Sequence, residues 1–229
     1  MMSPVHALNL GLHLLAGSLA LAIGVVLLAR AKGTAAHRRW GRMFVFCSAL
    51  VCLSALVGLL VFRLLPVFAL LNVLVAYQLF GGWRAVRRRD APLQWLDAAA
   101  TLVAIVLALL VLPALPWPAP PPAMAALLAL AGLVGYDLLR WLFADAWRAW
   151  LWRYEHAYKM IGTLSAMLSA LAGNVARGWQ PWSQLLPSLL GLLVVVSCFL
   201  HIHRQQRARR RGAAGTAGMA SSRFAGGRR

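Results

Sequence analysis

The stretch Arg30-Ala-Lys-Gly-Thr-Ala-Ala-His-Arg-Arg-Trp-Gly-Arg42 carries five cations and lies between two long apolar runs. A connection this basic stays on the cytoplasmic side of a bilayer, and its placement fixes the side of every later connection. Read outward from it, apolar runs of about 20 residues recur along almost the whole chain, each long enough to cross a hydrocarbon core of about 30 Å. Seven spans are expected, at about 5–29, 41–62, 65–83, 95–115, 123–143, 156–176 and 182–203. Assigned alternately, 21 of the 23 Lys and Arg residues fall on the side of the Arg30–Arg42 segment, and only Arg63 and Arg177 fall opposite. This asymmetry predicts an outside N-terminus and a cytoplasmic C-terminus.

Composition agrees with a membrane reading. Of 229 residues, 62% are hydrophobic and 12% charged, mean hydropathy is +0.73, and only five residues are acidic. That is too little polar surface for a water-soluble domain. The formal charge of +18 raises the question of nucleic acid. Its distribution in short clusters between apolar runs argues instead for topology signals and contacts with anionic lipid headgroups, with no nucleic-acid partner. Cys47, Cys52 and Cys198 lie inside apolar runs without a C-x-x-C pattern, so they read as small buried hydrophobes. The N-terminal Met-Met-Ser-Pro-Val-His lacks a basic n-region, so the first run is expected to remain as an anchor. Seven of the ten tryptophans fall at or near span ends, where indole prefers to sit.

Three connections add detail. Phe62-Arg-Leu-Leu-Pro66 is short enough to make a tight antiparallel pair of the helices it joins. Pro113–Pro122 holds an extended outer linker, because repeated Pro cannot continue a helix. In the connector near 144–154, Phe143, Trp147, Trp150 and Tyr154 recur at i, i+4, i+7 and i+11. That spacing predicts a short interfacial helix with one aromatic face. The expected organisation is an all-α transmembrane domain over 1–203 and a disordered basic tail over 204–229.

Polar groups inside spans are expensive and so mark candidate sites. An outer set comprises His6, Asn9 and His13, at i, i+3 and i+7, with Asn72 at similar depth. It reads either as a ligand pocket or as an interhelical hydrogen-bond cluster. An inner set comprises Gln78, Asp97, Asp137, Arg140, His156 and Lys159, with Glu155 and His201 nearby. It suits either a proton relay or anion site, or a structural clamp on the connector. Asp137 lies within an apolar span, so it is expected to face the bundle and to meet His156, Lys159, Arg140 or Gln78. Glu155 and Lys159 read as an exposed i,i+4 pair of little consequence. The basic loop His37, Arg38, Arg39 and Arg42 suits headgroup contact or capping. No metal set, nucleotide loop or hydrolase motif is present in the sequence.

His13-x3-Gly17, Lys32-Gly-x3-His37-Arg-Arg-x-Gly41-Arg42, Asn72-x4-Tyr77-x4-Gly82-Trp-Arg-Ala-Val-Arg-Arg-Arg89 and Leu96-Asp97 together resemble a family of bacterial multi-pass membrane proteins classed as a domain of unknown function. The resemblance is best over residues 6–97 and implies a fold and a bacterial cytoplasmic-membrane location, but no activity. Three functional classes are compatible with the residues. The leading one is a non-enzymatic protein that binds a small ligand or lipid, or partners another membrane protein, without a cofactor. A b-type haem or quinone-linked redox protein, using His13, His37, His156 or His201, is the alternative. A small-molecule transporter is the third, although the halves do not read as repeats.

Overall fold

The computed structural model describes residues 3–89, 91 and 94–226, with side chains of the last helix described through 208. All its regular structure is helical. Helix α1 is Pro4–Ala29, started by the Ser3 hydroxyl, which accepts from the His6 amide. Helix α2 is Ala35–Val57 and continues as a π turn over Gly58–Phe62. Helix α3 is Pro66–Arg87, α4 is Trp95–Val111 and α5 is Pro121–Leu139. Helix α6 is Trp152–Val175 and α7 is Trp182–Gly226. By length and apolarity six stretches qualify to cross a membrane. The fifth of these, Pro121–Val175, is 55 residues long and contains both α5 and α6.

That stretch is not straight. In an unbroken helix Asp137 and Lys159 would be about 33 Å apart, yet the Lys159 ammonium lies 2.8 Å from the Asp137 carboxylate. The chain therefore doubles back between α5 and α6. The corner is built from a 3₁₀ turn, Arg140–Phe143, one α turn, Ala144–Ala146, and a π turn, Trp147–Leu151. The backbone departs from helical at Phe143 (φ −127°, ψ 41°), and the segment expected as a short helix near 144–154 is helical but runs on into α6, with its aromatic positions separated. Trp147 is buried, because its indole N–H donates to Glu155 and draws the ring inward. Trp150 packs edge-on to Tyr154, and Tyr154 packs edge-on to Phe199 of α7.

The basic segment is also more ordered than a loop. Gly33 adopts φ +79°, and the Thr34 hydroxyl then accepts from the His37 amide as the N-cap of α2. His37, Arg38, Arg39 and Arg42 thus lie on the first two turns of α2. Only the few residues between α1 and α2 connect them, because Ala35 and Ala36 propagate the capped helix. The last helix continues to Gly226 across the segment expected to be disordered.

Helix α3 is central and packs against α2, α4, α5 and α6. Its Val75 and Leu79 join Ile23, Phe44, Leu164 and Met167 in one apolar cluster. Its Leu70, Leu74 and Tyr77 join Ala104, Ala126, Leu130 and Leu133 in a second. Glycine permits the close α3–α6 crossing. A Cβ on Gly82 would sit 2.5 Å from the Met160 terminal carbon, and one on Gly81 would sit 2.7 Å from the Lys159 ammonium. The absence of side chains at 81 and 82 lets Lys159 run across α3 toward α5.

Candidate functional site: a buried ionic network

Three of the chain's five acidic residues, Asp97, Asp137 and Glu155, are buried among α3, α4, α5 and α6. Lys159, fully buried, donates to both Asp137 oxygens and to Glu155 Oε1, each at 2.8 Å. An ammonium has three N–H donors, so its capacity is filled. The Lys159 charge also faces the rings of Tyr77 and Tyr136, at 5.6 and 5.9 Å from their centres.

Asp137 also accepts from the Tyr77 hydroxyl and pairs with Arg140 Nη1 at 3.5 Å. The Tyr77 hydroxyl also lies 2.8 Å from the Thr101 hydroxyl, which is in turn 3.0 Å from the Asp97 carbonyl and donates to it. Glu155 accepts from Arg140 Nη1 at 2.7 Å, from the Trp147 indole, and from the Tyr136 hydroxyl at 3.4 Å. Arg140 in turn lies over the Trp147 ring, 5.4 Å from its centre. Asp137 and Glu155, 18 positions apart in sequence, are thus bridged by both Lys159 and Arg140.

Asp97 forms an adjoining layer. As the third residue of α4 it accepts from the Gln94 amide at 3.0 Å, closing a capping box. It also pairs with Arg84 Nε at 2.8 Å and with Arg88 Nη1. Asp97 therefore ties the start of α4 to the end of α3. Burial, followed by the neighbouring Arg84 and Arg140 guanidinium groups, lowers Arg88 to about 10. Against three carboxylates stand Arg84, Arg88, Arg140 and Lys159. Arg88 Nε and Nη2 and Arg140 Nε are buried without a hydrogen-bond partner.

The structure therefore brings together Asp137, Arg140 and Lys159 of the expected inner set, with Asp97 beside them. His156 turns away, its Nδ1 donating to the Gly82 carbonyl at 2.9 Å. Gln78 is buried with its Oε1 unpartnered, against Gly162 of α6. Glu155 is a correction. Its pairing with Lys159 is not an exposed one, because Glu155 is 2% and Lys159 0% exposed. Tyr77, Tyr136, Trp147, Thr101, Arg84 and Arg88 escaped sequence reasoning. The available signal was that a Tyr hydroxyl or Trp indole beside an apolar run needs a polar partner when buried.

The outer set gathers around α2. Asn9 Nδ2 donates to the Ser54 carbonyl at 3.1 Å, and His13 Nδ1 is 2.9 Å from the Ser54 hydroxyl. Asn72 Nδ2 donates to the Cys52 carbonyl at 3.3 Å, and His6 stacks on Phe62 at 4.3 Å. Each contact joins α2 to α1 or α3, in the manner of interhelical polar bonds within a bundle.

Two of the five cations of the Arg30–Arg42 segment serve the backbone. Lys32 Nζ caps α1 by donating to the Leu27 and Leu28 carbonyls at 2.6 and 2.8 Å. Arg38 donates to the Gly33 carbonyl at 2.7 Å, and Arg30 lies over Trp40. His37 Nδ1 is buried without a partner. His37 as a whole is half-buried. His201, by contrast, is exposed and meets Gln205 on its own helix. Of the histidines considered as haem ligands, His13 meets Ser54, His156 the Gly82 carbonyl and His201 Gln205. Among the described residues no group of three or more His, Cys, Asp or Glu is arranged to hold a metal ion. Compared with known protein families, curated proteins and solved structures, the chain matches none.

Proposed function

We propose that the chain is a seven-pass protein of the bacterial cytoplasmic membrane, N-terminus outside and C-terminus inside. Its role is non-enzymatic: it binds an anionic lipid or small anionic ligand at its basic inner face. The seven-pass count rests on α5 and α6 being separate limbs of a hairpin, so that each crosses once. The orientation rests on the cation asymmetry.

The observation that carries the ligand class is how charge is spent. The buried acids are consumed by Lys159 and the buried arginines, which makes the network a clamp on α3, α5 and the corner. Arg39 and Arg42 are left without partners among the described residues, at the membrane-facing edge of the same end, and they suit phosphate.

The test is thermal unfolding of the detergent-purified full chain with added phosphatidylglycerol or phosphatidylcholine. A ligand that binds the folded state raises its melting temperature. Phosphatidylglycerol should raise it well above the phosphatidylcholine value, and equal shifts would refute the proposal.

A further inference from the structure

A groove of about 430 Å³ lies along the inner end of α2, lined by Arg39, Arg42, Met43, Phe46 and Cys47. The first four stand at i, i+3, i+4 and i+7, which is one face of a helix. The face changes character along its length. At its start are two guanidinium groups, both exposed. Beyond them Met43 and Phe46 are 44% and 64% exposed, and Cys47 is buried behind them.

The neighbouring cations show why these two differ. Arg30 lies over Trp40, Lys32 caps α1 and Arg38 holds the Gly33 carbonyl. Arg39 and Arg42 make no hydrogen bond or ion pair with any described residue. Two unpaired guanidinium groups one helical turn apart offer parallel N–H donors to a phosphate. The apolar wall then continues for about 6 Å along the helix, from Arg42 to Phe46, toward the hydrocarbon. Such an order, cationic then apolar, complements a phosphodiester joined to an acyl chain.

We propose that this groove is a specific site for one anionic glycerophospholipid. The phosphate would lie between Arg39 and Arg42, and the proximal acyl chain over Met43 and Phe46. The inference rests on the reading that the inner face binds an anionic group, and it names the place and the ligand.

The experiment is native mass spectrometry of the detergent-purified full chain, titrated with phosphatidylglycerol. It compares wild type, Arg39→Gln/Arg42→Gln, Phe46→Ala, and Arg204→Gln/Arg207→Gln as a control for general basicity. Losing two charge-assisted bonds should weaken the first bound lipid by roughly tenfold or more. The control should stay within about twofold, a difference too small to represent a lost bond. Phe46→Ala should weaken phosphatidylglycerol and leave glycerophosphoglycerol, which has no acyl chain, unchanged. All four side chains replaced in the arginine variants are on the surface, so melting without lipid should not change. Phe46→Ala provides an independent arm if Arg39→Gln/Arg42→Gln does not fold.

Unchanged phosphatidylglycerol binding in Arg39→Gln/Arg42→Gln or in Phe46→Ala would overturn the groove while leaving the inner-face reading intact. Displacement of the lipid by inorganic phosphate at equal concentration would overturn the lipid assignment. Equal binding of phosphatidylcholine by wild type would overturn both the groove and the broader reading.

Discussion

Lys159 uses all three of its donors on two carboxylates, and those carboxylates belong to different limbs of the α5–α6 hairpin. Replacing a buried ion pair by well-packed apolar residues can be neutral, but removing one partner leaves a charge unpaired in a low dielectric and costs about 3–5 kcal/mol. Asp137→Leu should therefore lower the melting temperature strongly, since it strips acceptors from Lys159, Tyr77 and Arg140. Asp137→Asn keeps an acceptor oxygen and should retain most of the stability. Asp137→Leu/Lys159→Met should recover part of the loss, because neither charge then remains alone. A double-mutant cycle by thermal unfolding measures this directly, and additive losses would show that the pair is not coupled. The need of Asp137 for a partner was legible in the sequence, because a lone acid in an apolar run has few alternatives. The importance of Glu155 was not. Its i,i+4 spacing to Lys159 matches a solvent-exposed helical pair, and only the fold of the corner shows that both are enclosed.

At the level of elements, the contact between α3 and α6 sets where the network can form. Gly81 and Gly82 on α3 leave room for the Lys159 stem and for Met160. Gly82→Val should force the helices apart, since its first added atom would lie 3.0 Å from the Lys159 Cβ, which is fixed to the α6 backbone, besides displacing the Met160 methyl at 2.5 Å. Overpacking of this kind costs about 1–3 kcal/mol. The loss should be accompanied by faster amide exchange in α3 and α6, and unchanged exchange there would contradict the close crossing. The apolar runs that became α1, α3, α4 and α6 were readable because apolarity sustained over about 20 residues has one structural solution in a bilayer. Two features were harder to read. Charge made the start of α2 look like a loop, although Thr34 and the two alanines after it supply a cap and good helix formers. The corner at 140–151 showed an aromatic period of one helix, while the demand of the Trp147 indole for Glu155 divides that face.

For the whole molecule, the network, the groove and the cation asymmetry all lie at one end. How the chain threads the membrane therefore decides which side this end faces. The critical region is Pro121–Val175, which counts as one crossing by length and composition alone but as two if α5 and α6 are separate limbs. Ala119 precedes it and Gly178 follows it. The direct measurement starts from a chain with Cys47, Cys52 and Cys198 replaced by serine and single cysteines at Ala119, Ala146 or Gly178. Each is labelled in intact spheroplasts with a membrane-impermeant maleimide. Seven crossings with an outside N-terminus predict labelling at 119 and 178, and protection at 146 until the cells are broken open. Labelling of only one of positions 119 and 178, or of position 146 in unbroken cells, would contradict the account.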